Sequence, residues 1–274
     1  MDLSVELIHA TVQLEQPLGD GTRTVGTGFL IADTAPDGTP RTVLVTANHV
    51  LAKMPGAEAR IGYRISNADG SWSYSPEPLK IRSADGAQLW TKHPSRDVAT
   101  IAITAPEAFA KAAIPLQWLA EDDTFQVNRV GAGDEMMALG FPRGLAANQA
   151  GFPILRSGRV ASFPVAPAKV FPTFLLDFTV FPGNSGGPVF MSQAAHRRVG
   201  AVESGQDVQF IAGLLTQQVE LNNERLEIGI VTHAKFIRET MSLMDDPRAP
   251  VTMASNEVVT GAKAASAMES VSPD

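Results

Sequence analysis

Short runs rich in Val, Ile, Leu and Thr recur along most of this chain, each closed off by Gly, Pro, Asp or Asn, and that punctuation leaves few folds open. The first series comprises Thr24 to Ile31, Arg41 to Thr46, Arg60 to Ile65, Leu79 to Arg82 and Val98 to Thr104. A second follows with Glu135 to Leu139, Ile154 to Ser162, Phe174 to Val180, Gly187 to Phe190, Val208 to Thr216 and Leu226 to Thr232. Many short strands at such spacing predict a barrel or a sandwich. Pro36-Asp37-Gly38-Thr39-Pro40 joins the first two runs as a hairpin turn, because proline presets φ and glycine tolerates a left-handed backbone.

Between the two series the pattern changes. Glu107-Ala108-Phe109-Ala110-Lys111 reads as a short helix and Glu121-Asp122-Asp123 as a solvated turn, which together suggest a link between two all-β halves. Late in the chain Phe236, Ile237, Thr240, Met241 and Met244 recur at helical spacing, predicting an amphipathic helix packed on the domain. The expected organisation is one domain over residues 1–245, with halves at about 10–105 and 133–233, a linker at 106–132 and a helix at 234–244. Residues 246–274, dominated by Pro, Ser, Ala and Gly, read as a flexible tail.

Composition narrows the functions. The chain has 274 residues, 44% hydrophobic and 19% charged, which suits a packed core. A net charge of -7 without clustered Lys and Arg disfavours nucleic acid. Cysteine is absent, which removes disulfides, thiolate metal sites and cysteine nucleophiles together. No HExxH or His/Asp cluster is present, so neither metal nor cofactor is expected. No apolar run approaches the roughly 20 residues of a membrane helix. The start, Met1 to His9, lacks the basic and apolar regions of a secretory signal, giving a cytoplasmic expectation.

The strongest chemical signal is Phe181-Pro182-Gly183-Asn184-Ser185-Gly186-Gly187-Pro188, a serine in a turn whose glycines let backbone amides approach a ligand. Amides of Gly183 and Ser185 aimed into one pocket would stabilise a tetrahedral oxyanion. A serine hydroxyl needs a base within reach and something to orient that base. Of five histidines, His49 ends the apolar run Val43-Leu44-Val45-Thr46-Ala47-Asn48, where a rigid strand hands a side chain to a cleft. His9, His93, His196 and His233 read as surface or strand residues. Asp97, just before Val98-Ala99-Thr100-Ile101-Ala102-Ile103, fits a buried orienting acid, although a capping aspartate looks the same.

His49, Asp97 and Ser185 fall in the chain order of the trypsin-like peptidases. The segments GTGFLIA, TANHV, SRDVATIAI, GDEMMALGFPRG, SGRVAS and the run from Asp177 to Pro188 resemble the HtrA branch of that family, in register over about Thr24 to Met241. The resemblance implies an all-β fold of two six-stranded antiparallel β-barrels with the active site between them. It implies His49 as general base, Asp97 as orienting carboxylate and Ser185 as nucleophile, with Gly183, Asn184 and Ser185 forming the oxyanion hole. It places Thr179 at the base of the substrate pocket and Leu214, Leu215 and Thr216 along one side. None of these is a carboxylate, so small or medium aliphatic residues are expected at the scissile bond rather than Arg or Lys.

The implied activity is a serine endopeptidase acting on protein or peptide substrates through an acyl-enzyme. HtrA proteases usually continue into a PDZ domain, which is not expected here, and oligomeric state is left open. Asn184 carries no charge, so activation by an ion pair between that position and a freed N-terminus is excluded. Residues 144–152 read as a mobile stretch that gates the oxyanion turn. Two rivals remain: a trypsin-fold binding module, gated or inactive, and an α/β-hydrolase esterase built on Gly183-Asn184-Ser185-Gly186-Gly187. The esterase elbow must lead into a helix, whereas Gly187-Pro188-Val189-Phe190 reads as a strand.

Overall fold

The computed structural model describes residues 2–193, 208–221 and 224–245. The chain starts with a helix that the sequence reading did not assign. In α1 (Leu3–Ala10) the Asp2 carboxylate accepts the Ser4 N–H at 2.9 Å, and Leu3, Leu7 and Ala10 turn one face into the core.

The first half then builds β1 (Thr11–Pro17), β2 (Arg23–Thr34), β3 (Pro40–Thr46), the short helix α2 (Asn48–Ala52), β4 (Glu58–Ser66), β5 (Trp72–Lys80), β6 (Thr91–Lys92) and β7 (Ala99–Ile103). They form a sheet in the order β5-β4-β1-β2-β3-β7-β6, and β8 (Ile114–Pro115) adds to β2 in parallel. The link contains α3 (Glu107–Ala112), as expected. It also contains α4 (Asp122–Val127) where a turn was expected, because the Glu121 N–H finds the Thr124 hydroxyl at 3.1 Å and so opens a helical turn.

The second half comprises β9 (Glu135–Gly140), β10 (Ile154–Val160), β11 (Thr173–Asp177), β12 (Pro188–Gln193), β13 (Val208–Leu221) and β14 (Glu224–His233). These close into a six-stranded antiparallel barrel, β10-β11-β14-β13-β12-β9. With an eight-stranded first sheet and the C-terminal helix α5 (Ala234–Leu243), the architecture is that of a trypsin-like double barrel. The 246–274 tail and His196 lie outside the described residues. Among the described residues no helix is long and apolar enough to cross a membrane.

The two halves share one core. Phe29, Leu30 and Ile31 of β2 and Val43, Leu44 and Val45 of β3 are wholly buried, as are Val189, Phe190 and Ile211 in the second barrel. Consecutive buried residues mean that these strands are covered on both faces, and the polar site can lie only where strands end or turns begin.

Candidate active site

The Ser185 turn is held by its neighbours on three sides. Gly186 stands at φ +89°, and a Cβ there would lie 2.1 Å from the Thr27 carbonyl oxygen, so only glycine fits. The Gly186 N–H donates to the Leu215 carbonyl at 2.7 Å, the Leu215 N–H to the Gly187 carbonyl at 2.9 Å, and the Thr27 N–H to the Ser185 carbonyl at 2.9 Å. The buried Thr27 hydroxyl donates to the Gly183 carbonyl at 2.6 Å and accepts the Phe141 N–H at 3.1 Å. Thr46 in turn donates to the Thr27 carbonyl at 2.7 Å.

The direction of the Gly183 amide follows from one contact. The Arg143 N–H donates to the Pro182 carbonyl at 2.6 Å. A trans peptide points its C=O and N–H in opposite directions, so the Gly183 N–H faces away from Arg143. Among the described residues neither the Gly183 nor the Ser185 N–H has a protein acceptor. Asn184 differs: its N–H donates to the Phe181 carbonyl at 3.0 Å, which corrects its expected share in an oxyanion hole. Its side-chain oxygen is buried without a partner.

His49 is delivered by the first turn of α2, directly after β3. Asp97 grips it twice, accepting the His49 backbone N–H on Oδ1 at 2.9 Å and meeting Nδ1 with Oδ2 at 2.6 Å. A carboxylate only accepts, so Nδ1 carries a proton and Nε2 is the ring nitrogen left facing away from Asp97. The two side chains are 29% and 24% exposed, so Asp97 is less buried than expected. Its loop is set by the His93 N–H to Val98 carbonyl bond at 3.0 Å and by the His93 ring, which meets Glu239 of α5 at 3.0 Å. Trp90 steadies the start of α2 by donating to the Asn48 side chain at 2.9 Å.

The Ser185 hydroxyl donates to the Thr216 carbonyl at 3.3 Å rather than to His49. Thr216 itself is buried, with its hydroxyl 3.3 Å from the Ile230 carbonyl and 3.2 Å from the Thr232 hydroxyl. Leu214 and Leu215 are 0% and 1% exposed, because the 186–187 turn lies across β13 on one side and the barrel interior fills the other. They are core side chains, a correction to their expected place on an open pocket wall. Leu215 converges with Phe178 and Val180 on Gly229, where a Cβ would meet each of them at 3.0–3.1 Å. Thr179 is half-buried between Phe178 and Val180.

Several residues at the site escaped the sequence reading. Thr27 is the hydroxyl on which the turn hangs, yet a threonine in a strand carries no special signal. Arg143, at φ 53°, and Arg156 both stand over the Phe181 ring, at 5.4 and 5.6 Å. Residues 144–152, expected to be mobile, are tied down by Gln13 Nε2 on the Gly144 carbonyl (3.2 Å), the Ala147 N–H on the Phe152 carbonyl (2.8 Å) and Arg64 on the Gly151 carbonyl (3.1 Å). Among the described residues no group of three or more His, Asp or Glu side chains converges as a metal site. The strand β12 that follows Ser185 removes the helix an esterase elbow requires.

A family model described as a trypsin-like peptidase domain matches residues 26–200. No curated protein matches the sequence. Among solved structures, a variant of the HtrA-type protease AlgW with tripeptide is similar at a TM-score of 0.54 and 16% identity, over 90% of this chain and 63% of that one. AlgW with decapeptide gives 0.52 and 15%, over 91% and 68%. At such identity the likeness is one of fold, and this chain spans less than two thirds of the first of them.

Proposed function

Because the chain belongs to the trypsin-like peptidase domain family, we propose that it is a serine endopeptidase in which Ser185 is the nucleophile, His49 the general base and Asp97 the group that orients it. The observation that carries this reading is the two-point grip of Asp97 on His49, at 2.9 and 2.6 Å, which occupies Nδ1 and leaves Nε2 as the other ring nitrogen. The unspent amides of Gly183 and Ser185 supply what the reaction then needs.

In this reading the Ser185 hydroxyl rotates from the Thr216 carbonyl toward His49 Nε2, which takes its proton as Oγ bonds the scissile carbonyl carbon. The carbonyl oxygen becomes an oxyanion between the Gly183 and Ser185 N–H groups. Asp97 stabilises the imidazolium and stays ionised. The His49 proton passes to the leaving amine as the C–N bond breaks, leaving an ester on Ser185. Water, deprotonated by His49, hydrolyses that ester and restores the hydroxyl.

Peptide substrates agree with the fold's likeness to AlgW, which was solved with a tripeptide and with a decapeptide. A preference for small or medium aliphatic residues over Arg or Lys is part of this reading, since neither Thr179 nor Thr216 carries a charge. A gated enzyme remains the second reading, favoured by the Ser185 bond to Thr216 at 3.3 Å.

The test is fluorophosphonate labelling and casein digestion by wild type beside Ser185→Ala. Both signals are expected from wild type and neither from the variant. Labelling without cleavage would support the gated reading, and the absence of both would sink the peptidase.

A further inference from the structure

Arg64 of β4 is 2% exposed, in a position where a charge is costly unless it is fully used. It donates to the Ile8 and His9 carbonyls at the end of α1, at 3.2 and 2.8 Å, and to the Gly151 carbonyl at 3.1 Å. Its guanidinium lies 5.1 Å from the Phe109 ring and 4.9 Å from the Phe152 ring, while Nε is buried without a partner. Burial pulls its pKa down to about 10, so it remains charged at neutral pH. One buried cation therefore joins the N-terminal helix to the stretch that borders the Ser185 turn.

That stretch is a short lever with both ends in view. At the Arg64 end, Phe152 also packs against His9 and Trp72, with ring centroids 5.9 and 5.3 Å away. At the other end, a Cβ on Gly183 would fall 2.3 Å from the Phe141 carbonyl and 3.3 Å from the Gly144 nitrogen, so the turn rests directly on residues 141–144. Between the ends, the Leu145 N–H donates to Pro142 and the Ala147 N–H to Phe152. The Arg143 N–H is the group that sets which way the Gly183 amide points, and Arg143 holds a left-handed backbone, φ 53°, which persists only where its surroundings enforce it.

We infer that Arg64 is a positioning residue for the oxyanion hole: by clamping Gly151 and Phe152 against α1 it holds residues 142–152 in the shape that keeps the Arg143 N–H on the Pro182 carbonyl, and so keeps the Gly183 N–H turned toward substrate. This rests on the serine peptidase reading above. It makes α1 a structural requirement for turnover although α1 touches none of the reacting atoms. An alternative occupant of the Arg64 acceptors, or removal of α1, would release the same lever.

The test compares wild type with Arg64→Lys, Arg64→Met and Gly151→Ala. The last reaches the contact from the other side, since Gly151 stands at φ +82° and a Cβ there would lie 2.3 Å from the Tyr74 ring. It keeps the inference testable if Arg64→Met does not fold. Two readouts separate positioning from general damage: kcat and KM on a peptide substrate, per labelled active site, and affinity for a peptide aldehyde against the matching carboxamide. The aldehyde adds to Ser185 Oγ as a hemiacetal whose oxygen needs the Gly183 N–H, whereas the carboxamide only fills the binding cleft.

Misplacing a reacting group by about 1 Å can cost about 10²-fold. The expected result for Arg64→Met and Gly151→Ala is therefore a fall in kcat and in aldehyde affinity of about 10²-fold, with carboxamide affinity within about twofold. Arg64→Lys, which keeps the charge but not the fork of donors, should fall between them and wild type. Equal losses of aldehyde and carboxamide affinity, or no loss of either, would overturn the inference while leaving an active wild type and the peptidase reading in place. A wild type that neither labels nor cleaves would remove both.

Discussion

Thr27 connects more of the site than any residue proposed to perform the chemistry. Its single hydroxyl satisfies the Gly183 carbonyl and the Phe141 N–H, both buried, and its own backbone holds Ser185. Replacing it with Val keeps the shape and leaves two buried groups without partners, at about 1–3 kcal/mol each. Thr27→Val should therefore lower the urea midpoint and cut kcat by about tenfold or more, since each 1.36 kcal/mol lost in the transition state is a decade. Thr27→Ser, which keeps the hydroxyl, should restore most of both. A Val variant with wild-type kcat would mean that the turn holds itself. Of the residues at the site, Ser185, His49 and Asp97 were legible because each sits in a distinctive run: GNSGGP, TANHV or SRDVATIAI. Thr27 was not, although it lies inside GTGFLIA, because nothing in a strand sequence tells a threonine that hydrogen-bonds a distant turn from one that fills space. Arg64 left a fainter mark, a cation between Tyr63 and Ile65, and only the tertiary packing of α1 and of residues 151–152 gives it partners.

Among the elements, strands closed by local turn chemistry, such as β3 and β9, were read nearly to their ends, whereas β1 was not assigned and only the last two residues of β5 were. The helices were harder. α1 offered Leu3 and Leu7 one helical turn apart behind a capping Asp2, but an eight-residue helix has too little periodicity to declare itself. α4 was hidden by its acidic residues: Asp122 looks solvated in the sequence, yet it accepts the Ala168 N–H at 2.7 Å and pairs with Lys235 at 2.9 Å. α5 was legible from its apolar face, and its packing gives it a further task. Phe236 is 6% exposed, meets the His93 ring at 5.3 Å and carries the Arg96 guanidinium at 5.2 Å, all beneath the loop that presents Asp97. Truncating a buried phenylalanine costs about 3–5 kcal/mol. Phe236→Ala should lose about 3 kcal/mol or more in urea unfolding, with a smaller fraction of molecules labelled by fluorophosphonate at 37 °C. A loss under about 1 kcal/mol, in the range of surface substitutions, would place α5 outside the cooperative core.

For the molecule as a whole, acid stability turns on a histidine outside the candidate site. His233 ends β14, is 1% exposed, and stands between the Phe125 and Phe174 rings with centroids 4.9 and 5.1 Å away. Burial is the main cause that lowers its pKa from 6.5 to about 4; nearby Asp122 pulls it up, though not enough to reverse the burial, and Lys235 pushes it further down. Between those two values the unfolded chain takes up a proton that the folded chain refuses. Stability contributed by keeping this ring neutral is thus present above pH 6.5 and is lost as pH falls toward 4. At 1.36 kcal/mol per pKa unit the whole window amounts to about 3 kcal/mol. Asp122 adds its own loss only lower, because its carboxyl is held below 3.8 by its partners, chiefly the Ala168 N–H and Lys235. The two windows can therefore be separated by pH. Urea midpoints of wild type should drop steeply from pH 6.5 to 4.5, whereas His233→Gln, which has no proton to refuse, should start lower and descend with a shallower slope. Parallel slopes in the two proteins would show that His233 is protonated as easily in the fold as outside it, and that the acid limb belongs to the carboxylates alone.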